Sequence, residues 1–365
     1  MRPSGCHWAG TAFLVSKAAG WNNPHGSHID TQQEREHPGG VFMPRCLRQI
    51  LAVLAVSTLA LGGRATAETY PSNKITLVVA FAAGGVADTL ARMVGQGLSE
   101  RLHQPVVVEN RGGAGGNIAA GVVAHAAPDG YTLLVTTTAL AINETLRETK
   151  TFAATDFKTV AIVASSPEAL VTSPSNPANN LADFVKAAKG KSINFGSAGV
   201  GSGSHIEAEY FFKKIANIEA THVPFQGGAP AINATLGNQI DLLATTLGGG
   251  AAAQIAAGKL KGLGVAADKR ASVTPNVPTY AEAGFPGFFA ASWVGFFAPA
   301  KTDPQIIAAL NTAINDTIKN PDVQQKLATI GFDPIQGSPA QAETMFKAEV
   351  TKWGEMVKAL NLSIK

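Results

Sequence analysis

The chain has 365 residues, 15% of them charged, and a formal net charge of +3. Six of its 29 basic and three of its 26 acidic residues fall in residues 1–67, which leaves 23 of each sign beyond, so nucleic acid and anionic membranes are poor partners. Both cysteines, Cys6 and Cys46, lie in that same segment, which removes disulfides, thiol catalysis and cysteine-bound metal from the 298 residues after Ala67.

Residues 1–42 are mixed and aperiodic, and they read as an upstream extension ahead of a true start at Met43. Met43–Arg48 is a short basic region, Gln49–Gly63 an apolar core, and Ala65 and Ala67 are the small residues a signal peptidase reads. The apolar stretch falls short of the roughly 20 residues a membrane span needs. The prediction is a signal peptide over 43–67, a mature start at Glu68 and a soluble, periplasmic chain.

Beyond it, short β-branched runs alternate with helical patterns. Strands are predicted at Ile75–Phe81, Val106–Asn110 and Tyr131–Thr137, with helices from about Val86 to Leu102 and from Asn117 to Ala126. The Pro/Asn/Ser-rich stretch Ser173–Asn180 separates a second set. This has helices at Leu181–Lys189, Ser204–Ile215 and Pro230–Leu236, and strands at Ile193–Ser197, Thr221–Phe225, Ile240–Thr246 and Gly262–Ala267. Three helical segments beginning near Pro304, Asp322 and Pro339 close the chain. Such alternation predicts an α/β protein with largely parallel sheets, and two sets predict two lobes. Ligands of open α/β sheets sit at the carboxyl ends of the strands.

Four of those strand exits are glycine-rich: Phe81–Asp88, Asn110–Asn117, Phe195–His205 and Pro224–Pro230. Glycine lets backbone approach a ligand, and the free amides of a following helix attract an anion. Glycines that merely serve tight βα turns are an even competitor at any single exit; four exits favour a site. None is a nucleotide motif: Asn110–Asn117 lacks the Gly-x-Gly-x-x-Gly spacing, and Gly190-Lys191-Ser192 has Val185 where a P-loop needs glycine. With no Lys or Arg in Phe81–Asp88 or Phe195–His205, a small anion such as a carboxylate fits better than a polyphosphate.

Ser204 and Glu207 have the spacing of a capping box, which leaves Ser197, Gly199 and Ser202 as donors toward the cleft. His205 reads as structural ahead of ligand-binding. Asp88 is either a favourable charge in a first helical turn or a ligand acceptor, and both stay open. Arg111 reads as a brace for backbone carbonyls. His103, His125, His205 and His222 lack metal-ligand spacing, and Val200 and Ser202 occupy places where a nucleophile elbow needs glycine. No catalytic residue, metal or cofactor is predicted.

Eight stretches in order carry a resemblance: "VVAFAAGGVADTLAR", "VVVENRGGAGGNIAA", "APDGYTLLV", "FGSAGVGSGSHIEAEYF", "VPFQGGAPAINATLGNQIDL", "GKLKGLGVAADKR", "VPTYAEAGFPGF" and "WVGFFAPAKT". From about Tyr70 onward the chain resembles the Bug family, the extracytoplasmic solute receptors of tripartite tricarboxylate transporters. The resemblance implies a type II periplasmic binding fold: two α/β lobes, two crossover segments and a cleft that closes on ligand. It places residues 68–167 and 290–365 in one lobe and 168–289 in the other. It implies a monomer that binds a small carboxylate and delivers it to the membrane subunits of a transporter. A sensor docking on a membrane signalling protein is the alternative, and a periplasmic enzyme a distant one. On one side the implied ligand contacts are Phe81, Ala83, Gly84, Gly85, Asp88, Thr137 and Thr138. On the other they are Ser197, Gly199, Ser202, His205, Phe225, Gly227, Gly228 and Thr246. Family members often carry Pro after the first strand and a polar residue beside the Gly-Gly. Here Phe81-Ala82-Ala83 and Val86-Ala87 stand there, which favours a plain or partly apolar acid over an amino acid. Amides and hydroxyls are expected to hold the acid without an arginine.

Overall fold

The computed structural model describes residues 70–365; the predicted extension, signal peptide and start at Glu68 lie outside the described residues. The first lobe opens with strand β1 (Ile75–Val79), helix α1 (Val86–Leu102), β2 (Val106–Asn110), α2 (Asn117–Ala124), β3 (Thr132–Thr137) and α3 (Ala139–Leu146). β1 pairs in parallel with β2 and β3. β1 buries Ile75, Leu77 and Val79 on one face and Val78 on the other, as strands covered on both faces require. Ala87, Leu90, Ala91, Val94 and Leu98 recur at helical spacing and bury one side of α1 against this sheet. Each such large side chain, fully buried, contributes about 1.5–3 kcal/mol. The helix ends at His103 in left-handed conformation, φ 52°.

The chain then crosses between lobes on one long strand, β4 (Phe157–Thr172). Its portion Phe157–Pro167 runs antiparallel to β9 (Ala291–Pro299), and its portion Glu168–Thr172 runs antiparallel to β7 (Leu242–Thr246) and β8 (Lys261–Val265). Between these lie α4 (Leu181–Ala188), β5 (Ile193–Ser197), α5 (Gly203–Tyr210), β6 (Ala220–Pro224), α6 (Gly228–Leu236) and a short α7 (Ala251–Ala256). β5 pairs in parallel with β6 and β7. The return crossing enters β9, whose other edge pairs antiparallel with β3. The sheet order is β2-β1-β3-β9-β4-β7-β5-β6.

Helices α8 (Pro304–Ile318) and α9 (Pro321–Thr329), the short strand β10 (Asp333–Pro334) and α10 (Pro339–Ala359) complete the chain. All three helices carry Pro at the start behind a capping Asp303, Asn320 or Ser338. α10 buries Phe346 and Trp353 beside Trp293 of β9, and Glu349 accepts from both indoles, at 3.0 and 2.7 Å. Among the described residues no helix is long and apolar enough to cross a membrane.

Several elements differ from the sequence expectation. β1 ends at Val79 rather than Phe81, and β4, β9, α3 and α7 were not foreseen. The helix expected over Ser204–Ile215 gives way at Phe211–Ala216 to a π-helical turn. The Ser204–Glu207 capping box does not form. Ser202 is the cap, accepting from the His205 amide at 3.2 Å, and Glu207 instead accepts from the Tyr280 hydroxyl at 2.6 Å. A buried tertiary partner thus outweighs the local bond.

Candidate ligand-binding site

Where the two lobes meet, an inner chamber of about 80 Å³ adjoins an outer one of about 330 Å³. Phe81, Ala198, Ser202 and Gly227 line both. Lobe one brings the start of α1 (Gly85, Val86, Ala87) and Thr137, just ahead of α3, to the inner chamber. Lobe two brings the starts of α5 (Ser202, Gly203, Ser204) and α6 (Gly227, Gly228), together with Thr245 and Thr246 at the end of β7. Three helix N-termini therefore converge on one small space. The first amides of a helix have no partner inside it, and the aligned peptide dipoles place about half a positive charge there. Among the described residues no Lys, Arg or His lines this chamber.

The Phe81–Gly85 loop is held from behind. Asp88 accepts from the Gly84 amide at 2.9 Å and from Arg92 Nε at 3.0 Å, and Asn110 donates to the Phe81 carbonyl at 3.0 Å. Burial alone would raise the Asp88 carboxyl, but hydrogen bonds from Arg92, Gly84 and Asn110 outweigh it and hold its pKa below the usual range. Gly84 sits at φ +80°, a conformation a β-carbon would strain.

Among the described residues the inner chamber has one ionisable wall group, Glu168, where β4 passes from pairing with β9 to pairing with β7. Its carboxyl is fully buried; Thr246 Oγ1 donates to both oxygens, at 3.2 and 3.3 Å. Burial, with a smaller push from Glu207, raises its pKa to about 8 against the hydrogen bonds from Thr246 and Ser292. Burial also raises Glu207 to about 8, against the bond from Tyr280. Among the described residues neither carboxylate forms an ion pair. Gly203 makes this packing possible, because a β-carbon there would lie 2.7 Å from Glu168 Oε1.

The outer chamber is walled by Gly112–Gly116 on one side and by Gly199, Val200, Phe225 and Gln226 on the other. Among the described residues its one charged side chain is Arg147, just past α3. The Arg147 Nε is buried and has no hydrogen-bond partner among the described residues.

Of the sequence-predicted contacts, Phe81, Gly85, Thr137, Ser202, Gly227, Gly228 and Thr246 line the inner chamber, and Gly199 and Phe225 the outer. Ala83 and Gly84 lie exposed, off both chambers, and Asp88 serves the loop rather than the space. Thr138 stands one shell behind, 3.0 Å from Ser292 Oγ. Ser197 spends its hydroxyl on His222 Nε2 at 2.6 Å, and His205 stacks on His222 with ring centroids 4.0 Å apart. Burial lowers His205 to about 3, helped by His222, and His222 to about 4, so both rings are neutral struts. Arg111 pairs with Glu109 at the surface rather than bracing carbonyls. Glu168, Ser292 and Arg147 were missed: none belongs to a glycine-rich exit. A larger groove, about 650 Å³, runs beside Pro167 and Ala291, where no helix start points into it.

Two lobes joined by crossing strands, with helix starts facing a shared cleft, define a periplasmic-type solute-binding protein. BugD, a periplasmic binding protein, has this architecture, with a TM-score of 0.76 and 29% identity. Residues 90–362 match the family described as "Tripartite tricarboxylate transporter family receptor", and the chain belongs to it. BugT of Bordetella pertussis is 31% identical over 330 residues, 87% of this chain and 99% of BugT. Two solved structures are each 33% identical to this chain. Rpa4515 of R. palustris, with adipate, covers 80% of this chain and 99% of its own at TM-score 0.77. MatC of Rhodopseudomonas palustris, with bound malate, covers 79% and 100% at TM-score 0.74. The family whose model matches is one of transporter receptors, not of enzymes.

Proposed function

We propose that this protein captures a small organic acid in the periplasm, after removal of residues 1–67, and delivers it to the membrane subunits of a tripartite tricarboxylate transporter. The observation that carries the reading is the convergence of three uncapped or part-capped helix starts on a chamber with no cation. One carboxylate sits there against free amides and the Thr137 hydroxyl, and the rest of the acid extends toward Arg147. Neutral donors avoid the desolvation cost of a buried ion pair, so the acid is held without being trapped. Residues 68–167 with 290–365, and residues 168–289, are the two bodies that close on it, hinged where β4 and β9 cross. The adipate and malate in the two solved relatives support the ligand class.

A thermal-shift screen of mono-, di- and tricarboxylates, followed by calorimetry, tests this. The expected result is stabilisation by one or a few acids, about 2.7 kcal/mol at a hundred times Kd. A chain that responds to no carboxylate but does bind a sugar or a phosphate ester overturns it.

A further inference from the structure

An anion receptor with a carboxyl in its innermost wall presents a physical conflict. Glu168 lies in the same small space as the starts of α1, α5 and α6, and the field of those helix starts favours one negative charge. A bound carboxylate and an ionised Glu168 compete for it. The groups facing Glu168 from the packed elements do not relieve the competition. They are the Thr246 hydroxyl of β7, Ser292 of β9, Thr138 ahead of α3, and Glu207 of α5 with its partner Tyr280. His205, also on α5, turns to His222, and Asp88 of α1 is neutralised by Arg92. No ammonium or guanidinium among the described residues reaches Glu168.

We infer that Glu168 is the proton-carrying specificity residue of the inner chamber. Its neutral carboxyl donates a hydrogen bond to the incoming carboxylate, and its ionised form expels the acid. The inference rests on reading the chamber as a carboxylate seat, and it adds what that reading lacks: a reason the seat selects an anion over a zwitterion. Binding takes one proton from solvent whenever Glu168 begins ionised. No bond other than that O–H is made or broken.

With a pKa near 8 for Glu168, the sign is fixed. Affinity is highest when the carboxyl is protonated and falls as pH rises through 8, by about tenfold between pH 7 and pH 9. Calorimetry of the protein with malate and with adipate, at pH 7 and 9, reads this directly. Glu168→Gln keeps a neutral donor of the same shape that cannot ionise, so its affinity should show no such fall between pH 7 and pH 9. Should that variant fold poorly, proton uptake by the wild type at pH 8.5, measured in buffers of different ionisation enthalpy, gives the same answer: most of one proton per acid bound. A flat wild-type profile, an equal slope in the Gln variant, or no proton uptake overturns the inference while leaving acid binding intact. Tighter binding at pH 9 with preference for 6-aminohexanoate over adipate also overturns it, and makes Glu168 an ionised counter-charge for an amine. Failure of the wild type to bind any carboxylate at pH 7 overturns the carboxylate reading itself, and this inference with it.

Discussion

The two chambers treat negative charge by opposite means. The inner one gathers partial positive charge from the starts of α1, α5 and α6 and adds a buried carboxyl; the outer one sets a single guanidinium against a wall of glycine backbone. Helix dipoles are fixed in direction and cost no reorganisation when a ligand arrives, so the inner chamber is suited to recognising one group the same way in every ligand. Arg147 brings a guanidinium fork to the outer chamber, and its Nε has no hydrogen-bond partner among the described residues, so a second group can be met there by a cation. In the proposed function, the inner chamber defines an acid and the outer one sorts acids by their far end.

That division can be broken from either side. The largest effect is expected from Gly228→Val at the start of α6. A β-carbon there meets only the Gly249 carbonyl, at 3.7 Å, so the fold should tolerate the change. The added carbons enter a chamber of about 80 Å³ and cover free amides. Calorimetry should show affinity for every acid reduced at least a hundredfold, about 2.7 kcal/mol, with an unchanged circular-dichroism spectrum. Gly85→Val does the same from lobe one, although its β-carbon would sit 3.3 Å from the Ala82 carbonyl and add some strain. Retained binding in both variants would move the acid out of the inner chamber.

Arg147→Met should act on the other side and selectively. A hydrogen bond to a charged group contributes about 1.5–3 kcal/mol, so adipate or malate should lose at least tenfold in affinity. A one-ended acid of similar length, such as hexanoate, should be unaffected. Equal losses for both kinds of acid would mean that Arg147 supports the fold of the cleft rather than sorting ligands.

How much of this was legible in the sequence follows from where each residue gets its neighbours. The glycine-rich exits were readable because strand, turn and helix start are consecutive, and the chemistry of a free helix start is local. Gly85, Ser202, Gly227 and Gly228, which line the inner chamber, were singled out in this way, whereas Thr137 came only from the family resemblance. β4 was not readable, since Ser165-Ser166-Pro167-Glu168 looks like a polar break. In the fold that break is the crossing between lobes, and its polar groups turn inward to Thr246 and the Gly248 amide. Glu207 fitted a capping box by spacing, yet its partner Tyr280 lies 73 residues further on. Arg147 follows a short helix with no glycine beside it, and only the packing of Gly115 and Val200 around it marks it as part of the cleft.

The smallest expected effect concerns the other arginine. Arg111 follows β2 directly and, from the sequence, reads as a brace for backbone carbonyls rather than a partner for the ligand. Its guanidinium lies 3.0 Å from Glu109, with the two side chains 48% and 41% exposed, and it lines neither chamber. Exposed pairs of this kind contribute roughly 0–1 kcal/mol, because solvent screens them and two long side chains lose freedom to form them. Only the Arg111 backbone is held inside, its amide donating to the Val79 carbonyl at 2.8 Å, and alanine keeps that bond. Arg111→Ala should therefore leave acid affinity within about twofold of wild type, well under 1.4 kcal/mol, and shift the melting temperature only slightly. A loss comparable with that of Arg147→Met would show that the cleft, when closed on an acid, recruits a second cation from its rim, and the contrast between a cation-free inner chamber and a single-arginine outer one would fail.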